Sequence, residues 1–411
     1  MERHHGWFSR IAPGILLAAT GVGAGDILTT SLAGSEVGLV LVWAVLGGAL
    51  LKFTLSEGVA RWQLATGLTL LEGWALRLGA WIRWLFFSYL LLYSLSTGSA
   101  LASACGVAGT GFLVLGNAHL SRIVWGVLHS AAGLVLAWRG SFRLFEVIMA
   151  ALAGLMFFAV VFTAVAVGPD YRSLAAGLIP SVPDTGPTWL LAVLGGVGGT
   201  VTLLSYGYWI REEGRTGVEA VRTCRLDLAL GNGMTAVFGV GALIIGSRLE
   251  LEGQGAVLAS QLAGQLAEVV GAWGRWVFLA GFWGAVFSSL LGVWQSIPYL
   301  FADFYYLSRS QKPAALRSSR PYRAWLILLA TVPLLGLVRP VREIQLAYGV
   351  VASLFMPLLA LTLLILNNRP AWVGRAFATP RKANVILVVA LALFSYLGYI
   401  ELRDLLTGRS N

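Results

Sequence analysis

Eleven apolar runs, most of them near twenty residues, constrain this chain more than any other feature. They lie near 11–32, 38–60, 82–114, 121–138, 143–168, 188–210, 225–247, 272–306, 322–338, 345–367 and 383–402, with short charged or Pro/Gly-containing breaks between them. A bilayer core about 30 Å thick is crossed by roughly 20 apolar residues in helical form. Only 12% of the 411 residues are charged and 57% are hydrophobic, so each run reads as a spanning helix of a polytopic membrane protein. The runs at 82–114 and 272–306 exceed the bilayer thickness and must tilt or project beyond it. The first run is too long for a signal-peptide core and lacks a small-residue cleavage site, so it reads as the first span of the mature chain. With Cys105 and Cys224 alone, no disulfide framework or cysteine-based metal site is expected.

Basic residues orient the spans. Of the 29 Lys and Arg, 20 fall in loops on one side, 8 on the other, and Lys52 lies within the second span. The positive-inside rule puts the N-terminus in the cytoplasm, and eleven crossings put the C-terminus outside. This asymmetry also accounts for the net charge of +10, so no nucleic-acid partner is implied. The expected partners are the lipid bilayer of the cell membrane and a small inorganic ion, with a monomer as the expected state.

Two spans carry interruptions. Gly21-Val22-Gly23-Ala24-Gly25-Asp26 sits inside the first run, and Gly195-Gly196-Val197-Gly198-Gly199-Thr200 inside the sixth. Clustered glycine costs about 1 kcal/mol per residue in helix propensity, so both helices are expected to open there. Open backbone at that depth is tolerable only where it faces protein or a water-filled cavity. A carboxylate such as Asp26 inside a membrane is a functional-site hypothesis by default. Glycine-interrupted spans five helices apart point to a transporter built from inverted five-helix repeats, with its site between the breaks. The repeats are expected over about 11–168 and 188–367, with an extra eleventh helix at 383–402 in one transmembrane domain. The competing reading of the glycines is close helix packing.

Several stretches, in order, carry a family resemblance: Pro13-Gly14, Ala33-Gly34-Ser35 with Gly38, Ala60-Arg61 with Thr66-Gly67, Leu144-Phe145-Glu146, Gly177 to Pro183, Asn232, and Met356-Pro357. Along all eleven spans the chain resembles the NRAMP (natural resistance-associated macrophage protein) divalent-metal transporters. That resemblance implies an all-α leucine-transporter-type fold, an inverted 5+5 repeat with broken helices 1 and 6 and the substrate ion held between them. The family's ligand motifs are altered. Where helix 1 usually reads Asp-Pro-Gly-Asn, this chain has Gly23-Ala24-Gly25-Asp26; where helix 6 reads Met-Pro-His-Asn, it has Thr202-Leu203-Leu204-Ser205. The helix-10 glutamine position is Gly349.

The donors expected at the site are the Asp26 carboxylate, the hydroxyls of Thr29, Thr30, Thr200, Thr202 and Ser205, and main-chain carbonyls freed around Gly23, Gly25 and Gly199. Asp26 is the one candidate metal ligand with a charge. Thioethers select softer metals, whereas carboxylate, carbonyl and water suit Mg²⁺, Ca²⁺ and Mn²⁺. A hydrated Mg²⁺ bound through one or two carboxylates fits, with little Fe²⁺ or Mn²⁺ selectivity. The alternative is a small anion such as bicarbonate, held by broken-helix N-termini and hydroxyls, with Asp26 binding a coupling Na⁺ or proton. Asp26 also reads as a plain N-cap of the second half-helix. No cofactor is expected beyond bound Na⁺ or Mg²⁺.

Tyr206, Tyr208, Ser94 and Arg323 are candidates for a pathway or gate, the last because the family carries a basic residue on its proton route there. Ser94 also reads as one of several interhelical hydrogen-bonding groups on helix 3. Lys52 and Glu57 read as a structural pair or as side chains reaching the interface. Glu146, Asp227 and Asp303, near span ends, are open between ion-pair, gate and solvated roles. No nucleophile elbow, phosphate-cradling loop or His-Glu-x-x-His pattern is present, so no enzyme is expected. A non-transporting scaffold or sensor is the further alternative.

Overall fold

The computed structural model describes residues 7–22, 27, 29–139, 142–183, 187–196, 200–248, 260, 263–264, 267–268, 271–309 and 316–406. Among these residues helices are the only regular secondary structure. The first span comprises α1 (Trp7–Gly21) and α2 (Thr30–Val37), and the second is α3 (Val42–Thr66). A short α4 (Leu70–Arg77) leads to α5 (Ala80–Phe112), α6 (Ala118–Arg139) and α7 (Phe142–Ala166), the third to fifth spans. After the surface helix α8 (Tyr171–Ala176), the sixth span is made of α9 (Thr188–Gly196), a 3₁₀ turn at Val201–Leu204, and α10 (Ser205–Glu212). The seventh and eighth spans are α11 (Glu219–Ser247) and α12 (Ala272–Ser308). The ninth is α13 (Arg320–Thr331) with a 3₁₀ extension at Val332–Val338, and the tenth is α14 (Val341–Ser353) followed by α15 (Phe355–Asn367). A single turn, α16 (Pro370–Val373), precedes the eleventh span, α17 (Arg381–Leu406).

Nine segments among the described residues are long and apolar enough to cross a membrane. The first and sixth spans complete the eleven as broken pairs. The fold is therefore the all-α, eleven-helix, leucine-transporter-type arrangement expected from the sequence.

Local chemistry sets the boundaries. The second span starts later than expected because Gly38, at φ 63°, ends α2 with its N–H on the Gly34 carbonyl. It runs on to Gly67, which takes the left-handed conformation at φ 68°. Thr69 and Glu72 then form a reciprocal capping box that starts α4. The tenth span divides at Leu354 because Pro357, in the first turn of α15, has no N–H to continue the α14 ladder. At 33 and 37 residues, α5 and α12 are each about 50 Å or more long at 1.5 Å per residue, well beyond a bilayer core.

Helix α11 packs against α1, α2, α3 and α7, while α12 packs against α1, α5, α6, α7 and α13. Close backbone approach explains several glycines. A Cβ on Gly34 would lie 2.5 Å from the Leu243 carbonyl oxygen of α11, and one on Gly195 would lie 2.5 Å from the Gly349 carbonyl of α14. The small residues thus serve tight packing around both broken spans as well as the breaks themselves. Cys105 and Cys224 are free and buried.

Candidate functional site

The last described bond of α1 runs from the Val22 N–H to the Ala18 carbonyl at 2.7 Å, and α2 begins at Thr30. Between them, Ile27 and Thr29 adopt a wider helical turn. Gly23, Gly25 and Asp26 lie outside the described residues. In the sixth span α9 stops at Gly196, Thr200 has φ −141° and ψ −88°, and the 3₁₀ turn hands over to α10. Gly199 also lies outside the described residues. Helix α1 packs against the 201–204 turn and against α10, so the two breaks are neighbours.

Opening a helix leaves carbonyls at its C-terminal end without partners. Here protein donors answer them. Ser288 Oγ of α12 donates to the Ala19 carbonyl at 3.1 Å, and Ser289 Oγ donates to the Thr20 carbonyl at 2.5 Å. On the other span, Lys52 Nζ donates to the Gly195 carbonyl at 3.2 Å. These three carbonyls already accept bonds, while those around Gly23, Gly25 and Gly199 lie outside the described residues.

The hydroxyls differ. Thr29, Thr202 and Ser205 are buried, and their oxygens have no hydrogen-bond partner among the described residues. Thr30 is equally buried, and Thr200 lies beside the Tyr93 hydroxyl. Buried hydroxyls without partners are uncommon and ask for a ligand or water. Ser205 also opens onto a cavity of about 130 Å³ between α10 and α12, lined by Tyr208, Glu212, Ser296 and Tyr299 and reaching Arg317. Ser296 Oγ is another buried oxygen without a partner among the described residues. Among the described residues no group of three or more His, Cys, Asp and Glu is placed to hold a metal ion.

The two tyrosines diverge. Tyr208 lines the cavity and donates to Asp303 of α12, which also accepts a bond from Thr69 Oγ1 at 2.9 Å. Tyr206 lies off the cavity lining and donates to Asp227 of α11, which pairs with Arg215. The solvated reading of Asp227 and Asp303 is corrected, since both are buried at 0% and 6% exposure. Arg215 lies in the loop after α10. Burial pulls its pKa down, but Asp227 and then Tyr206 outweigh this and leave it above its ordinary value.

Other expectations meet specific partners. Ser94 Oγ bonds the Leu90 carbonyl and accepts from Trp325 Nε1 at 3.2 Å, which makes it an interhelical contact between α5 and α13. Arg323 lies over the Trp138 ring at 5.1 Å, on the α6 side of α13. The Lys52–Glu57 pair does not form. Glu57 is held by Arg61 at 2.9 Å and Arg225 at 2.6 Å, and Lys52, 1% exposed, does not reach the interface. The Glu146 side chain lies outside the described residues. Ser288, Ser289 and Ser296 were missed in the sequence; the Ser288-Ser289 pair within an apolar run was the signal.

Residues 14–403 match the family described as Natural resistance-associated macrophage protein-like. The chain belongs to the Nramp family. Its fold agrees with mutants of the Eremococcus coleocola manganese transporter, one at TM-score 0.77 and 18% identity over 98% of this chain and 88% of that one. A Na⁺-coupled sialic acid symporter matches at TM-score 0.61 and 14% identity, covering 94% and 88% of the two chains. An uncharacterized Pasteurella multocida protein is 25% identical over 290 residues, 66% of this chain and 64% of that protein's length. As a member of the Nramp family with nine long apolar segments among the described residues, the chain is a multi-pass membrane protein.

Proposed function

We propose that this Nramp-family protein is a secondary-active transporter of a hard divalent cation such as Mg²⁺, with little selectivity for Fe²⁺ or Mn²⁺. The observation that carries the reading is the donor set at the helix-6 break. Thr202 stands at the family's methionine position, Leu204 at its histidine position and Ser205 at its asparagine position, and the buried oxygens of Thr202 and Ser205 have no hydrogen-bond partner among the described residues. Hydroxyl, carboxylate and water oxygens suit a hard ion, and Mg²⁺ sheds its waters reluctantly. Asp26, which lies outside the described residues, supplies the one negative charge in this reading, and Thr29, Thr30 and Thr200 supply further oxygen donors. The cavity beyond Ser205 is the route toward the side bearing the N-terminus, which the Lys and Arg distribution assigns to the cytoplasm of a cell membrane. A monomer suffices for this route.

One observation favours a second reading. The Lys52 ammonium at the end of α9 is a positive charge beside the break, as suits a small anion such as bicarbonate, coupled to Na⁺ or protons. Uptake of Mg²⁺ and of bicarbonate into proteoliposomes, by wild type and Asp26→Asn in parallel, separates the two. A dication site loses Mg²⁺ flux in the variant, because removing a desolvated ligand charge costs several kcal/mol, or orders of magnitude in affinity. Bicarbonate flux that survives Asp26→Asn, with no Mg²⁺ flux in wild type, overturns the dication reading.

A further inference from the structure

Gln345 lies in the first turns of α14, with its Cα about 6 Å along the axis from the helix start, the end that the Lys and Arg distribution assigns to the outside. It is 1% exposed. Its Nε2 donates to the Ala100 carbonyl of α5 at 3.0 Å, while its Oε1 has no hydrogen-bond partner among the described residues. A side chain that only ties α14 to α5 needs its donor alone; the buried amide oxygen left over asks for a ligand or water. One turn further in, the Tyr348 ring stands 6.3 Å from that of Tyr93 on α5. The Tyr93 hydroxyl lies beside the side chains of Thr97, Thr200 and Tyr348, and Thr200 belongs to the helix-6 break. A tyrosine has one O–H and can donate to only one of those three neighbours at a time. Tyr93, Thr97 and Thr200 are buried as well. A row of polar side chains between α5 and α14 therefore leads from the outer end of the tenth span to the break. The cavity beyond Ser205 leaves the break toward the other side.

We infer that Gln345 and Thr97 contact the transported ion on the outer side of the site: the Gln345 amide oxygen and the hydroxyls around Tyr93 are oxygen donors to a hydrated ion passing between the outer surface and the helix-6 break. The inference rests on the helix-1/helix-6 site proposed above and extends it outward. Polar groups inside a membrane protein are costly and tend to mark ion pathways. Neutral oxygens along the row replace part of the ion's water without holding it, as a path requires and a tight site does not. The row is closed in this structure, so the ion reaches it in another conformation of the protein. The competing role is structural, in which these side chains only join α5 to α14 by interhelical hydrogen bonds.

Thiol labelling of the full-length protein in intact cells distinguishes these roles. Gln345→Cys and Thr97→Cys are treated from outside with a membrane-impermeant cationic methanethiosulfonate, with and without MgCl₂ or NaHCO₃. Wild type sets the background, since Cys105 and Cys224 are buried. Ser130→Cys is the buried control, because Ser130 bonds the Ala330 carbonyl between α6 and α13, away from the row. An outward-open state populated at a few per cent is expected to make both row cysteines react about tenfold or more faster than Ser130→Cys. MgCl₂ is expected to slow that reaction by occupying the path. A purely structural row predicts that both cysteines are as unreactive as Ser130→Cys, and that result in either variant overturns the inference. Labelling that neither salt slows also overturns it, because the ion then does not touch these residues. Thr97→Cys changes the side-chain volume little and carries the test alone if Gln345→Cys does not reach the membrane. The dication reading is tested separately by which salt protects. Protection by NaHCO₃ and not by MgCl₂ contradicts that reading and supports the role of Gln345 and Thr97.

Discussion

Asp227→Asn is expected to destabilise the protein by about 3–5 kcal/mol, the cost of removing one partner of a buried ion pair. The size follows from burial at both ends. The Asp227 side chain is 0% exposed and that of Arg215 is 8%, so the pair is outside the regime of exposed bridges worth about 0–1 kcal/mol. Asp227 accepts from Arg215 on one carboxylate oxygen and from the Tyr206 hydroxyl on the other. An asparagine amide keeps one acceptor but supplies no charge to balance the buried guanidinium. Tyr206→Phe leaves the ion pair in place and is expected to cost only about 1–2 kcal/mol. Denaturant or thermal unfolding of the detergent-solubilised protein, followed by tryptophan fluorescence, reads both. A double-mutant cycle of the two substitutions is expected to show coupling, since they share one carboxylate. A loss below about 1 kcal/mol for Asp227→Asn would place the pair with solvated bridges and refute the reasoning. The tether matters because α10 is fastened on one side to α11 through Tyr206 and on the other to α12 through Tyr208. Any movement of α10 must carry or break both contacts.

Ser289→Ala leaves the Thr20 carbonyl at the end of α1 without its donor, so a loss of about 1–3 kcal/mol is expected in the same unfolding assay. An unchanged midpoint would mean that another group or water takes the carbonyl. Glu57→Gln removes the charge that holds Arg61 and Arg225 together, and a loss of about 3 kcal/mol or more is expected because Arg61 is buried. Ser94→Ala removes the α5–α13 contact to Trp325 and a bond within α5, so transport is expected to stay within about twofold of wild type while stability falls by about 1 kcal/mol. A large transport defect without loss of stability would put Ser94 on the ion's path instead.

The sequence revealed the breaks because glycine clusters and an intramembrane carboxylate are local signals. It revealed close packing at the two glycine clusters only as an alternative, and Gly195 of the second cluster shows that use against the Gly349 carbonyl. What answers the freed carbonyls was not legible. Lys52 and Gly195 are 143 positions apart, and Ser288 and Ala19 are 269 apart, so those partners are fixed by tertiary packing alone. The Lys52–Glu57 pairing failed for a simpler reason. Residues five apart on a helix point in different directions, whereas Glu57 and Arg61, four apart, share a face and do pair. Asp227 and Asp303 looked like span-end residues open to water because their partners, Tyr206 and Tyr208, lie on a different helix.

The central claim is that oxygen donors around the two breaks carry a hard dication without preference for softer ones. It is tested most directly by the initial rates of Mg²⁺ and Mn²⁺ uptake into proteoliposomes, each alone and in competition. The account predicts Mg²⁺ flux that an equal concentration of Mn²⁺ inhibits only partly. Tight, saturating Mn²⁺ uptake that excludes Mg²⁺ would contradict it.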